Sequence, residues 1–160
     1  MKTLTQDTRG AVYVELLIAI IPVLTLAMGI FQLTELYTAK VLVDHAAVSA
    51  ARSAITVFAD DPKFYGGEPA NEERPRRAAA VRTAALRAMA PFIMDGSLRT
   101  ADVTFPDGVP KTRGAPLTVE VRSTYLCRVM LVQRIVCSGS GTRALVGRAT
   151  LPAMAADFTY

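Results

Sequence analysis

From Ala11 to Leu33 the chain runs for 23 residues with no Lys, Arg or Asp and one Glu, Glu15. At 1.5 Å per residue such a run makes about 34 Å of helix, enough to cross a hydrocarbon core of about 30 Å. A buried helix of a soluble protein carries a polar stripe, and this run has almost none. The pattern predicts a transmembrane helix over 11–33. Pro22 removes a backbone donor and predicts a kink or locally melted turn there, which neighbouring groups can re-satisfy in a membrane helix.

Beyond Leu33 the helical period continues. Ile30, Leu33, Tyr37, Val41, Asp44, Val48 and Ile55 recur at three- and four-residue steps with one polar interruption. Ala46, Ala47, Ser49, Ala50, Ala51, Ser53 and Ala54 form a small-residue surface that lets another backbone approach closely. Helix from Ala11 to about Phe58 would be roughly 70 Å long. Its second half, 34–58, is expected to pack on a head domain or on neighbouring helices; a plain connector helix on its own domain is the other reading.

The segment 59–75, "ADDPKFYGGEPANEERP", has three Pro, two Gly and many charges and reads as a loop. A second helix of about four turns follows over 71–91, with Asn71 as its cap, Glu72 and Glu73 at its positive end and Pro75 in its first turn. Val81, Ala84, Ala85, Ala88 and Met89 are placed towards a sheet; Arg76, Arg77, Arg82 and Arg87 mostly occupy a solvated face. After Pro91 the period becomes two. The stretches 101–105, 116–131 and 142–152 alternate like half-buried strands. In the second, Leu117, Val119, Val121 and Tyr125 share one face, and Thr118, Glu120, Arg122 and Thr124 the other. Strands following helices predict an α+β head over 59–160 with an antiparallel sheet of three to four strands.

Composition narrows the chemistry. Net charge is +4, far from the dense basic patches that favour nucleic acid, so no nucleic-acid partner is expected. The chain has two Cys, Cys127 and Cys137, and one His, His45, too few for a four-ligand zinc site. His45 lies in a strongly helical stretch and reads as a helix-surface or interface residue. The "CSGSGT" segment (137–142) lacks the Gly-Lys-Ser/Thr ending of a phosphate loop and reads as a turn. Neither a catalytic constellation nor a cofactor, metal or small-molecule substrate is expected.

The flank "MKTLTQDTRG" carries Lys2 and Arg9 beside Asp7, which by the positive-inside rule keeps the N-terminus cytoplasmic and puts everything after residue 33 outside. A cleavable secretory signal is the competing reading. Its apolar region is usually shorter, about 7–15 residues, and ends in a small-residue site that "AMGIFQLTELY" does not supply.

A short polar leader, a Gly, and an apolar helix with Glu five residues later resemble the class III signal of type IV pilin-like proteins. The resemblance implies cleavage by a prepilin peptidase after Gly10, leaving Ala11 as the new N-terminus and Glu15 as its fifth residue. It also implies that Glu15 pairs with the free amine of a neighbouring subunit during assembly. The physics is compatible. A carboxylate in a membrane helix costs of order 3 kcal/mol at the centre and less near the interface. A free α-amino group is mostly cationic at neutral pH and suits it as a partner. The alternative is a Glu that snorkels or sits protonated.

Within that group, "RGAVYVELLIAIIP" and "GIFQLTELYTAKVLVDHAAVSAARSA" resemble the opening and continuation of the TadE-like minor pilins of tight-adherence (Tad) pilus systems. The likeness covers residues 8–54. Leu16 stands where an aromatic commonly follows the Glu, and Ala11 differs from the Phe that opens most classical type IVa pilins. The resemblance implies a structural subunit, held in the bacterial inner membrane by one pass or entering a surface pilus, with prepilin peptidase and other pilus subunits as partners. An uncleaved bitopic scaffold, or an enzyme or binding protein tethered by its helix, are the alternatives. Cys127 and Cys137 flank nine residues, and an extracytoplasmic compartment permits a disulfide between them. By the chain-entropy argument it would be worth roughly 2–3 kcal/mol. Two free buried thiols are the other possibility.

Overall fold

A computed structural model describes residues 9–137 and 139–155 of the chain. The expected leader, 1–10, lies outside them except for Arg9 and Gly10. The layout is α+β: a long N-terminal helix, a further helix and a three-stranded antiparallel sheet.

Helix α1 spans Arg9–Val57, 49 residues, with Pro22 inside it. The helix continues through Pro22, so of the expected kink or melted turn the melted turn is not seen. One lost hydrogen bond does not outweigh the well-formed turns on either side. A short 3-10 turn at Pro62–Tyr65 breaks the following loop. Then come α2 (Pro75–Ala88), α3 (Ala90–Met94), β1 (Asp102–Thr104), β2 (Pro116–Leu126), α4 (Met130–Val136) and β3 (Thr142–Pro152). The sheet order is β1-β2-β3. Strand β2 pairs with β3 along its whole length, from Pro116 opposite Pro152 to Leu126 opposite Thr142. Strand β1 pairs only from Asp102–Arg122 to Thr104–Glu120.

The second half of α1 forms the spine of the head. Val43, Ala46, Ala47, Ala50, Ala51 and Ala54 are all buried, packed among α2 and the sheet. Small side chains let the helix lie close, and at β3 the approach reaches the backbone. A Cβ on Gly147 would stand 2.5 Å from the carbonyl oxygen of Val43 and 3.0 Å from the Cα of Asp44. At the far end, Phe58 meets Phe105 edge-on, ring centroids 5.1 Å apart. The small-residue surface is thus consumed by the head. The stripe of larger residues, Ile30, Leu33, Tyr37, Val41 and Val48, faces outward and is exposed. Bulk alone suggests the opposite, but only the alanine side admits a sheet at this distance.

Leu117, Val119, Val121 and Tyr125 share the buried face of β2 as expected, joined by Ser123. The other face is drier than alternation implies, because Thr118 and Glu120 are also buried. Glu120 is paired with Arg148 (2.7 Å) and Arg122 (2.6 Å), one on each carboxylate oxygen. Arg148 first, then Arg122, hold its carboxyl below the usual carboxylate range. That contribution is present at neutral pH and is lost as pH falls through the lowered value.

Two expectations for α2 are corrected. The helix begins at Pro75 with Arg74 in the cap position, and Asn71 sits three residues earlier with φ 57°. The first N–H groups are taken instead by Glu68, whose carboxylate accepts from Arg76 N (3.0 Å) and Arg77 N (3.1 Å). Arg77 is fully buried rather than solvated. Its guanidinium donates to the carbonyls of Val57, Asp60 (3.0 Å) and Glu68 (2.9 Å) and stacks 4.5 Å over the Tyr65 ring. Positive charge there satisfies the carbonyls that the C-terminus of α1 leaves open. Val81, Ala85 and Met89 are buried, but α2 packs chiefly on α1 rather than on the sheet.

Replacing Gly147 with Ala should force α1 off β3, since its obstacle is backbone and cannot rotate away. Thermal or denaturant unfolding should report a loss of about 3 kcal/mol, the upper end for overpacking a core. A variant as stable as wild type would refute the close contact.

Candidate functional site

The first half of α1 stands clear of the head. The helix is long and apolar enough to cross a membrane, and its most apolar stretch is wholly uncovered by the rest of the chain. Two threonine hydroxyls on it are satisfied by the helix itself: Thr25 Oγ1 donates to the carbonyl of Ile21 (2.8 Å) and Thr34 Oγ1 to that of Ile30 (2.9 Å). Such a bond satisfies a hydroxyl without water. Gly10 lies in the first turn, with open space where a side chain would project. Ala11 follows it in the same turn. Glu15 is exposed and makes no hydrogen bond or ion pair with a described residue. Gly10, Ala11 and Glu15 therefore share one end of the span, Glu15 about 7.5 Å along the axis from Gly10.

At the other end the helix enters the head through a polar junction. Gln32 is fully buried. Its Nε2 donates to the Tyr125 hydroxyl (2.9 Å) and its Oε1 accepts from the backbone N–H of Val129 (2.9 Å). Tyr125 donates in turn to Glu35 Oε2 (3.2 Å). Burial first, then the Glu35 carboxylate, push the Tyr125 hydroxyl up to about 12. It stays protonated, and so remains a donor, throughout the physiological range. Gln32 and Glu35 were not among the residues singled out from the sequence. Their signal was present: two polar side chains three apart, on one helix face, where the apolar run gives out.

The two cysteines lie beside this junction, about 21 Å along α1 from Glu15 if Gly29 marks their level. They do not form one site with Gly10, Ala11 and Glu15. Strand β2 was expected to continue to residue 131, but it ends at Leu126, and α4 follows. The reason is the register: Leu126 pairs with Thr142, the first residue of β3, so no partner remains for a longer strand. Cys127 and Cys137 bracket the excursion with Cα atoms 6.5 Å apart, their sulfurs at disulfide distance. The N–H of Cys127 donates to Gly141 O (2.8 Å), which closes the base of the loop. His45 is exposed on α1. Among the described residues, no group of three or more His, Cys, Asp or Glu converges on a point that could hold a metal ion.

Thiol alkylation of unreduced, denatured protein should label neither cysteine, and labelling should appear after reduction. Full labelling without reductant would rule the bridge out.

No family model matches this chain, and no curated protein or solved structure matches it either. The functional reading rests on the geometry of α1 and on the resemblance carried by residues 8–54.

Proposed function

We propose that this protein is a TadE-like minor pilin, a structural subunit of a Tad-type surface pilus used in adhesion or secretion. In this reading prepilin peptidase removes the leader after Gly10. The span holds the subunit in the bacterial inner membrane with its N-terminus cytoplasmic and its head extracytoplasmic. The observation that carries the proposal is the division of α1 itself. One half is apolar and bare, with a lone exposed carboxylate near its start; the other half is built into a head.

Two further features support assembly with other subunits. The stripe Leu33, Tyr37, Val41 and Val48 continues the apolar surface of the span along the head, with Tyr37 71% exposed. Beside it a groove of about 580 Å³, lined by Leu33, Leu36, Tyr37, Lys40, Leu145 and Val146 among others, opens between α1 and β3. A neighbouring helix could extend contacts begun in the membrane onto these surfaces. Within such a contact the α-amino group of Ala11 on one subunit would meet Glu15 of the next. Leaving either charge unpaired in lipid is strongly unfavourable, so the pair would set the register of subunit addition.

The mature protein from its native host should begin at Ala11 by intact mass. A retained leader would favour the uncleaved bitopic scaffold. Glu15→Gln keeps size and removes charge. Membrane insertion should persist or improve, because a neutral amide is cheaper in lipid, and processing should be unchanged. Incorporation into the pilus, or support of its assembly, should be lost. Wild-type assembly by Glu15→Gln would make the carboxylate a bystander.

A further inference from the structure

We infer that the cysteine-bracketed loop 128–136 is an interfacial foot, lying in the headgroup layer of the bilayer on the head's side and setting how far the span is drawn out of the membrane. The inference rests on α1 crossing a membrane and concerns a segment that the pilin reading leaves without a role.

The argument starts from height. A hydrocarbon core of about 30 Å takes about 20 residues of helix, so a core that begins at Arg9, the basic residue closest to the run, ends near Gly29. Whatever packs on α1 at that level must meet the membrane surface. Loop 128–136 packs there. Val132 is buried, and its Cγ1 lies 3.7 Å from the position a Cβ would take on Gly29. One turn further along α1, Gln32 holds the N–H of Val129 (2.9 Å). These contacts pin both the height and the orientation of α4.

The composition of "RVMLVQRIV" suits that layer. Ile135 is 80% exposed, an unusual cost for a loop facing water but a favourable one at the acyl boundary. Met94, 87% exposed, ends α3 on the same side of the head, where the carbonyl of neighbouring Asp95 accepts from Arg128. Around these apolar tips stand Arg128, Arg134 and Arg143. Arg143 Nη1 reaches back to the carbonyl of Val136 (3.1 Å). Among the described residues, the carboxylates bonded to this part of the head are engaged: Asp95 faces Arg128 at 3.9 Å, and Glu35 accepts from Tyr125. Arg134 and Arg143 have no carboxylate partner among the described residues and are placed to meet lipid phosphates, with their stems on the apolar side. A short apolar helix framed by arginines, stapled at both ends and fixed beside the end of a span, fits a phospholipid surface better than a protein groove. A protein partner would have to approach through the headgroups.

The chain has no Trp, so single introduced tryptophans report position without background. Three full-length variants are reconstituted in phosphatidylcholine–phosphatidylglycerol vesicles carrying bromine either high or low on the acyl chain. Ile135→Trp reports the foot, Ile18→Trp the middle of the span, and Phe64→Trp an exposed position in the loop after α1. The Ile135→Trp emission should be blue-shifted and quenched most by the high bromine. Ile18→Trp should be quenched most by the low bromine, and Phe64→Trp by neither. If Ile18→Trp is quenched while Ile135→Trp emits as in water, the foot is overturned and the span stands. A blue-shifted but unquenched Ile135→Trp would mean that protein covers it, which also overturns the foot. Loss of quenching at Ile18→Trp would overturn the span and the foot together.

Discussion

Where α1 meets β3, the carbonyl of Val43 lies against the bare Cα of Gly147 and leaves no room for a side chain. The head is organised around that contact. Because the helix comes so close, the alanines at 46, 47, 50, 51 and 54 fill most of the space between it and its neighbours, and α1 adds only Leu36, Val43 and Val57 as larger buried aliphatic residues. A core built from alanines buries little apolar area per residue, so its stability depends on close packing rather than bulk. Most of the larger side chains come from the opposing elements: Leu117, Val119, Val121 and Tyr125 from β2, Val81 and Met89 from α2.

That arrangement divides one unbroken helix into a bare apolar half and a half built into the head. The alanine face is spent on the head, which leaves the bulkier face of the same helix outward in continuity with the span. Polar groups fix the helix at both ends of the head. At the lower junction, Gln32, Tyr125 and Glu35 form a buried chain of hydrogen bonds tying the helix to the end of β2 and the loop beyond it. At the upper end, Arg77 gathers the carbonyls of Val57, Asp60 and Glu68 and closes the helix against α2. Each group would be costly to leave unsatisfied, so together they fix the head's position on the helix at two heights.

The consequence for the proposed function is mechanical. A subunit drawn into a filament must transmit force between its membrane span and its head. Here no flexible linker separates them, since α1 is helical from Arg9 to Val57. The disulfide-distance pair and the loop it brackets brace the same junction from the side. Displacement of the span is thereby displacement of the head.

How much of this was legible from the residues can be judged element by element. The span, the helical continuation to about residue 58, the loop at 59–75, the register-forming alternation in 117–125 and the strand at 142–152 all follow from local periodicity, and the chain by itself determined them. The candidate roles of Gly10, Ala11 and Glu15 come instead from the resemblance carried by residues 8–54. What the periodicity does not contain is which neighbour each face meets. The period does not say whether the stripe Ile30, Leu33, Tyr37, Val41 and Val48 or the alanine side meets the head; the close approach at Gly147 selects the alanine side. Arg77 looks like one of four solvated arginines until the carbonyls at the end of α1 need a donor. Strand β2 looks five residues longer until β3 runs out opposite Leu126. Each of these was decided only by tertiary structure, because backbone proximity and unsatisfied carbonyls are properties of the assembled chain. Local sequence records hydrophobicity and period; it does not record distance.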